Sequence, residues 1–277
     1  MKRIVRPIIQ ASMILLGAAT LCPASRLTPN AQSAFDRYIE KLEIRLKEQH
    51  TAPETYIAAL DQDPNGRANA ERLLRSGVVR VEPVNGGTRQ LSGALLHHWR
   101  AAAFVNGGKR RDMLALLRDY NRLSTYYAPE VESSHALASD GDVGRVAVRL
   151  RKQEVVTVII DAIYEVQTGS IGSTGGYGFS WSTHIWQVDE PGTPRERRRP
   201  EGDDDGFLWR LNAYWSFLQL RDGLLIECEA VSLTRDIPIG LGWLVEPIIE
   251  DLPRSSLEFT LNATKKALTQ MAFKEEY

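Results

Sequence analysis

Two long strands of alternating polarity, joined by a short turn, constrain this chain more than any other feature in it. They run from Phe207 to Gln219 and from Leu224 to Arg235, with Arg221-Asp222-Gly223 between them. Asp222-Gly223 reads as a type I′ hairpin turn, whose two central residues both need φ above zero. A hairpin of this length belongs to a twisted antiparallel sheet, and the apolar face of such a sheet has to be covered by another element.

Alternation assigns the two faces. With residue 221 opposite 224, Trp209, Leu211, Ala213, Trp215 and Phe217 share one face with Ile226, Cys228, Ala230, Ser232 and Thr234. The other face carries Arg210, Asn212, Tyr214 and Ser216 against Arg235, Leu233, Val231, Glu229 and Glu227. The covering element is C-terminal, because Leu257, Leu261, Thr264, Leu268 and Met271 recur at spacings of four and three and form one helical stripe. Asp251 is placed to cap that helix and Pro253 to sit in its first turn. The apolar segment 241–252, which contains Pro247, is then a separate short helix.

The run Glu227-Cys228-Glu229-Ala230-Val231-Ser232-Leu233-Thr234-Arg235-Asp236-Ile237-Pro238 precedes Gly240-Leu241-Gly242-Trp243 and Pro253-Arg254-Ser255-Ser256-Leu257. With these residues the chain resembles bacterial members of the START-like, or SRPBCC, superfamily, over roughly residues 78–272. The resemblance implies an α+β helix-grip fold: an antiparallel sheet wrapped around a long C-terminal helix, with an apolar cavity between them. It is specific for fold and weak for function, because the superfamily includes lipid carriers, coenzyme Q-binding proteins, polyketide cyclases and plant allergens.

The N-terminus implies export. Residues 1–24 hold Lys2, Arg3 and Arg6, then an apolar run from Ile8 to Leu21, then small residues at Cys22, Ala24 and Ser25. This is the pattern of a Sec-type signal peptide cleaved after Ala24, and the run of about 14 residues is shorter than the roughly 20 that span a bilayer. Bulky Leu21 before Cys22 argues against a lipoprotein signal. Loss of the segment takes the formal charge of −1 to a more acidic value. The expected setting is the periplasm or the medium. Cys228 then remains as a single cysteine, read as a small buried hydrophobe.

Residues 25–76 form an N-terminal helical extension and 77–277 the helix-grip domain. In the extension, Phe35, Ile39, Leu42 and Leu46 share a face of one helix, and a second helical run covers Asn65–Arg75. The two cannot enclose a core and are expected to pack on the main domain. Strands are expected over 77–84 and 92–105, a helix over 109–127, and further strands over 130–137, 145–151 and 155–167. Gly169–Gly178, with five glycines, reads as a hairpin connection leading into a strand over 177–188. In the loop 190–206, Arg195, Arg197, Arg198 and Arg199 face Asp203, Asp204 and Asp205 and neutralise them.

The chemistry of particular residues narrows the function classes. Glu227 and Glu229, two apart on a strand, sit roughly 6.5–7 Å apart on one face, a spacing an acid/base pair could use. With Arg210 and Arg235 beside them they read as a salt-bridged, partly solvated ladder, or as a polar anchor if that face lines the cavity. His97 and His98 point to opposite faces and cannot clamp one metal, and no metal or nucleophile-elbow motif occurs. A composition with 43% hydrophobic and 25% charged residues and near-zero net charge does not suit a nucleic-acid binder. No cofactor is implied.

The reading that follows is binding, and transport, of an apolar small molecule such as a lipid, quinone or polyketide-like compound between sheet and C-terminal helix. Trp209, Trp215, Phe217, Trp243, Leu257 and Leu261 are the expected lining, with Tyr214, Glu229 and Arg235 as polar anchors. A cyclase- or hydrolase-type enzyme using the same cavity and an envelope interaction protein are the alternatives. Transient contact with a membrane is compatible with the first of these.

Overall fold

A computed structural model describes residues 25–60, 63–153, 157–236 and 242–275, with side chains omitted at 25, 242–250 and 273–275. The expected signal segment, residues 1–24, lies outside the described residues. The elements in chain order are β1 (Ser25–Arg26), α1 (Pro29–Gln49), α2 (Pro64–Arg75), β2 (Arg80–Leu91), β3 (Ala94–Asn106), α3 (Arg110–Arg118), a 3₁₀ turn (Tyr120–Arg122) and α4 (Leu123–Tyr127). Then come β4 (Val131–Asp140), β5 (Val143–Gln153), β6 (Thr157–Ile171), β7 (Gly175–Asp189), β8 (Arg197–Arg198), β9 (Asp203–Asp204), β10 (Arg210–Gln219), β11 (Gly223–Arg235) and α5 (Gly242–Glu275).

The fold is the α+β helix-grip arrangement. One antiparallel sheet runs β2-β3-β11-β10-β7-β6-β5-β4, with β8 attached to β7, and α5 packs along β2, β3 and β11. On the inner face, towards α3 and α5, Trp215, Phe217, Ile226, Cys228, Ala101 and Ala103 pack against Met113, Leu116, Leu257, Leu261 and Leu268. The helical stripe and the alternating strands therefore meet as their periodicities require.

The extension covers the other face. Thr28 caps α1, its Oγ1 accepting from the Ala31 N–H at 3.1 Å, and Pro29 occupies the first turn. Phe35, Leu42 and Leu46 of α1 are buried against Ala94, Leu96, Val231, Leu233 and Tyr214. Tyr56, Ile57, Leu60 and Leu74 cover Ala102, Phe104, Leu218 and Leu225. Each large side chain so buried contributes about 1.5–3 kcal/mol of transfer free energy.

Four expectations are corrected. The hairpin pairs Gln219 with Leu224, two residues away from the expected register. A slip of two preserves the faces, since side chains repeat with period two. Neither Asp222 nor Gly223 has positive φ, so the turn is not type I′. Second, α5 is one continuous helix through Pro247 and Pro253, because a 34-residue helix keeps most of its ladder when a proline deletes one bond. Third, the glycine-rich stretch is mostly strand: β6 extends to Ile171 and β7 starts at Gly175. A Cβ at Gly176 would lie 2.1 Å from the Phe217 ring, and one at Gly178 2.6 Å from Leu117, so these glycines admit neighbours onto the sheet rather than turn the chain. Fourth, Trp209 lies before β10 and leaves the alternation. Its Nε1–H donates to Asp204 at 3.0 Å and its ring packs with Phe35 and Leu42 on the outer face.

Candidate functional site

Strand register places the inner-face residues in transverse rows, and the rows differ in how well they are covered. Ala101, Cys228, Trp215 and Gly178 are paired in sequence across β3, β11, β10 and β7, and all are buried. The row of Ala103, Ile226, Phe217 and Gly176 is sealed in the same way, with α3 and the C-terminal half of α5 above it. The adjacent row on the other side is open. Trp99, Ala230, Ala213, Ser180, Val166 and Gly144 pair successively across six strands, and every one is half-buried.

Short side chains make this open row a trough. Ala230, Ala213 and Ser180 form its floor, bounded along β10 by Trp215 on one side and half-buried Leu211 on the other. Trp99 closes one end beneath the β2 bulge, where its ring lies 3.0 Å from a Cβ built on Gly87. Tyr120 closes the other end by lying over Gly144, whose Cβ would fall 2.6 Å from the ring. Next to the floor, Tyr164 pairs with Ser182 and Val146 and is 8% exposed.

The structure divides the expected lining residues between two faces. Trp215, Phe217, Leu257 and Leu261 come together, but as a filled core, at 7%, 0%, 4% and 0% exposure. The cavity expected beneath them is occupied by their own packing and by Met113 and Leu116. Trp209, Tyr214 and Glu229 lie on the opposite face under α1. Arg235 is half-buried at the end of β11, next to Gly206, with its N–H donating to the Gly206 carbonyl at 2.8 Å. The Trp243 side chain is outside the described residues. Sequence reasoning missed Trp99 as an end wall, Ser180 and Val166 on the floor, and Tyr120 and Tyr164. The signal that could have found them is the run of short residues at matched register positions, which requires the strand order.

Glu227 and Glu229 are not the solvated ladder expected. Both are 1% exposed, because α1 and residues 50–60 cover their face. Glu229 accepts from Arg45 at 2.5 Å, His98 Nε2 at 2.8 Å and Arg100 at 3.0 Å, and these donors hold its carboxyl well below the usual range despite burial. Glu227 accepts from the Ala58 and Ala59 N–H groups at 3.1 and 2.6 Å and from Gln49 at 3.1 Å. Burial, with Glu229 beside it, pushes the Glu227 carboxyl up to about 7. Tyr38 OH lies 2.8 Å from His98 Nδ1, which completes a closed network from α1 to β3 to β11. The expected partners are elsewhere: Arg210 reaches Glu201 at 3.3 Å. The cluster ties the extension to the sheet and has no opening onto the trough, which lies on the other face.

The buried histidines make stability depend on pH. His97, bonded to Thr88 and Thr234, and His50, bonded to Ser216, are held near a pKa of about 4 by burial, so both are neutral in the fold. A lowered folded pKa gives stability that is complete above the unfolded value of about 6.5 and is lost as pH falls through 4. Glu227 works the other way: with its folded pKa raised, it contributes stability at low pH that is lost as pH rises from 4.5 to 7. These two, together with His98, which burial also holds below its ordinary value, outweigh one glutamate. Acidification from about pH 7 to 4 should lower stability by roughly 3 kcal/mol, the scale of one two-unit shift. Urea midpoints across that range check it, and His97→Gln should flatten the slope.

Among the described residues, two surface depressions lie elsewhere. One of about 410 Å³ follows the charged flank of α1 along Asp36, Glu40, Glu43 and Lys47, with no opposing wall to enclose a ligand. The other, about 330 Å³, lies between α4 and α5 beside Tyr126 and Met271. Only the trough combines an apolar floor with two aromatic ends among these three.

No family model and no curated protein matches the chain. Among solved structures it is similar to a fragment of the STAR-related lipid transfer protein from Xanthomonas axonopodis, with 16% identity, 66% of this chain and 98% of that chain covered, and a TM-score of 0.44. It is similar to human STARD10, with 12% identity, coverage of 76% and 82%, and a TM-score of 0.43. It is also similar to the Zhui aromatase/cyclase from a Streptomyces species, with 11% identity, coverage of 66% and 96%, and a TM-score of 0.41.

Proposed function

We propose that the chain binds an apolar small molecule, of lipid, quinone or polyketide-like character, in the inner-face trough, and that it serves as a carrier or sequestering protein outside the cytoplasm. The observation that supports this is the half-open row itself: the two rows that contain Trp215 and Phe217 are sealed, whereas Ala230, Ala213, Ser180 and Val166 are half-buried on the same face. An apolar surface with short side chains and aromatic ends is suited to a hydrophobic ligand and a few oriented polar groups. Binding is favoured over acid/base catalysis because Glu227 and Glu229 face away from the trough. The extracellular setting rests on the basic and apolar leader, residues 1–24.

Ala213→Phe tests the reading. A phenyl ring at this half-buried position is expected to project over the floor, so stability should change by less than about 1.5 kcal/mol. Binding of an apolar fluorescent probe should fall by about tenfold or more, as the ring takes the ligand's place. Wild-type protein that fails to bind the probe, or a variant that binds it equally well, would remove the trough as the site.

A further inference from the structure

We propose that the trough selects uncharged molecules, an apolar body carrying one or two carbonyl or hydroxyl oxygens, and rejects carboxylates and phosphates. This rests on the trough being the binding site and goes further by naming the class of ligand. The floor row and the rows flanking it carry apolar, hydroxylic, thiol and glycine residues and one imidazole, His97, which is neutral and engaged by Thr88 and Thr234. The charged strand residues next to these rows alternate to the opposite face, where Arg100 pairs with Glu227 and with Glu229, and Arg149 pairs with Asp161 at 2.7 Å. Arg118, at the margin of the flanking row, is already held by Thr168 at 2.9 Å and by Asp142. An ionised headgroup entering the trough would give up part of its water and find the cation beside Tyr120, Arg118, already paired.

Three neutral donors, by contrast, lie at or beside the row. Trp99 Nε1, Tyr120 OH and Tyr164 OH are buried and have no hydrogen-bond partner in the protein, although the two tyrosines are only 4% and 8% exposed. Burial raises both phenols above their ordinary pKa, so each keeps its proton and can donate it. A buried donor without an acceptor is costly, and a ligand oxygen that accepts from it relieves the cost. Trp99 and the Gly144 that Tyr120 covers lie on strands five spacings apart, which is about 24 Å along the sheet. That separation suits an elongated molecule with an oxygen near an end.

Displacement of 1-N-phenylnaphthylamine by 1-dodecanol and by dodecanoate, at about pH 8 where the carboxylate is ionised, tests the proposal. The alcohol should displace the probe at concentrations about tenfold or more below those of the acid. Equal potency overturns the selectivity while leaving the trough as the site, because the probe still binds. Absence of probe binding overturns the underlying reading instead. Tyr164→Phe should weaken dodecanol about fivefold. The probe, which has no oxygen, should bind as before, and the unfolding midpoint should not fall. If dodecanol binds undiminished to Tyr164→Phe, Tyr120→Phe and Trp99→Phe alike, the donors are not anchors and the proposal fails.

Discussion

Arg100→Leu should lower the stability of this protein by about 3–5 kcal/mol, one of the two largest effects expected of any single substitution considered for it. Arg100 is the strand-borne cation between Glu227 and Glu229, 3.0 Å from Glu229 and 3.9 Å from Glu227, and it also reaches Glu82 at 3.1 Å. Removing it leaves two carboxylates at 1% exposure with Arg45, on α1, as the remaining nearby guanidinium. Taking one partner from a buried pair exposes the full desolvation cost of the other. Adding Glu229→Gln to the same protein should restore much of the loss, since a neutral amide tolerates the site better than an uncompensated ion. Chemical denaturation of the single and double variants decides this, and an unchanged midpoint for Arg100→Leu would mean that the carboxylates are solvated and that α1 does not seal them.

That network shows where the sequence stopped being legible. The inner and outer faces of the hairpin could be read by alternation, and Trp215, Phe217, Leu257 and Leu261 do meet. Alternation is local and survives a register error of two. The fate of the outer face could not be read this way, because its mixed polarity is equally compatible with solvent and with a polar interface. What buries Glu227 and Glu229 is α1 and the segment after it, about 180 residues away, through Arg45, Gln49, Ala58 and Ala59. Nothing in the spacing of α1 announces that partner. Trp209 escaped for a related reason: the ladder begins at Arg210, and one irregular residue suffices to reverse a face. The trough was hidden longer still, since the row that forms it draws residues from six strands and exists only once their order is known.

The glycine at 223 is the case where sequence identified a residue for the wrong reason, and it leads to a prediction of comparable size. The Asp-Gly pair suggests a turn that needs positive φ, but the turn residues are Arg221 and Asp222, and Gly223 already opens β11 opposite Asn106. Its hydrogen is there because β3 passes too close: a Cβ would lie 2.3 Å from the Val105 carbonyl oxygen and 2.6 Å from the Phe104 ring. Val105 is buried at 0% and Phe104 at 5%, so neither can move without disturbing the packing of both faces. Gly223→Val should therefore cost about 3 kcal/mol or more, at or beyond the upper end for overpacking a well-filled core. The two explanations separate at smaller substitutions. If φ were the constraint, Gly223→Asn would be tolerated better than Gly223→Ala, because asparagine enters the left-handed region more easily. With the carbonyl as the obstacle, alanine should already lose about 1–3 kcal/mol and asparagine should do no better. Urea midpoints for the three variants give the answer, and an asparagine variant as stable as wild type would return the glycine to the turn.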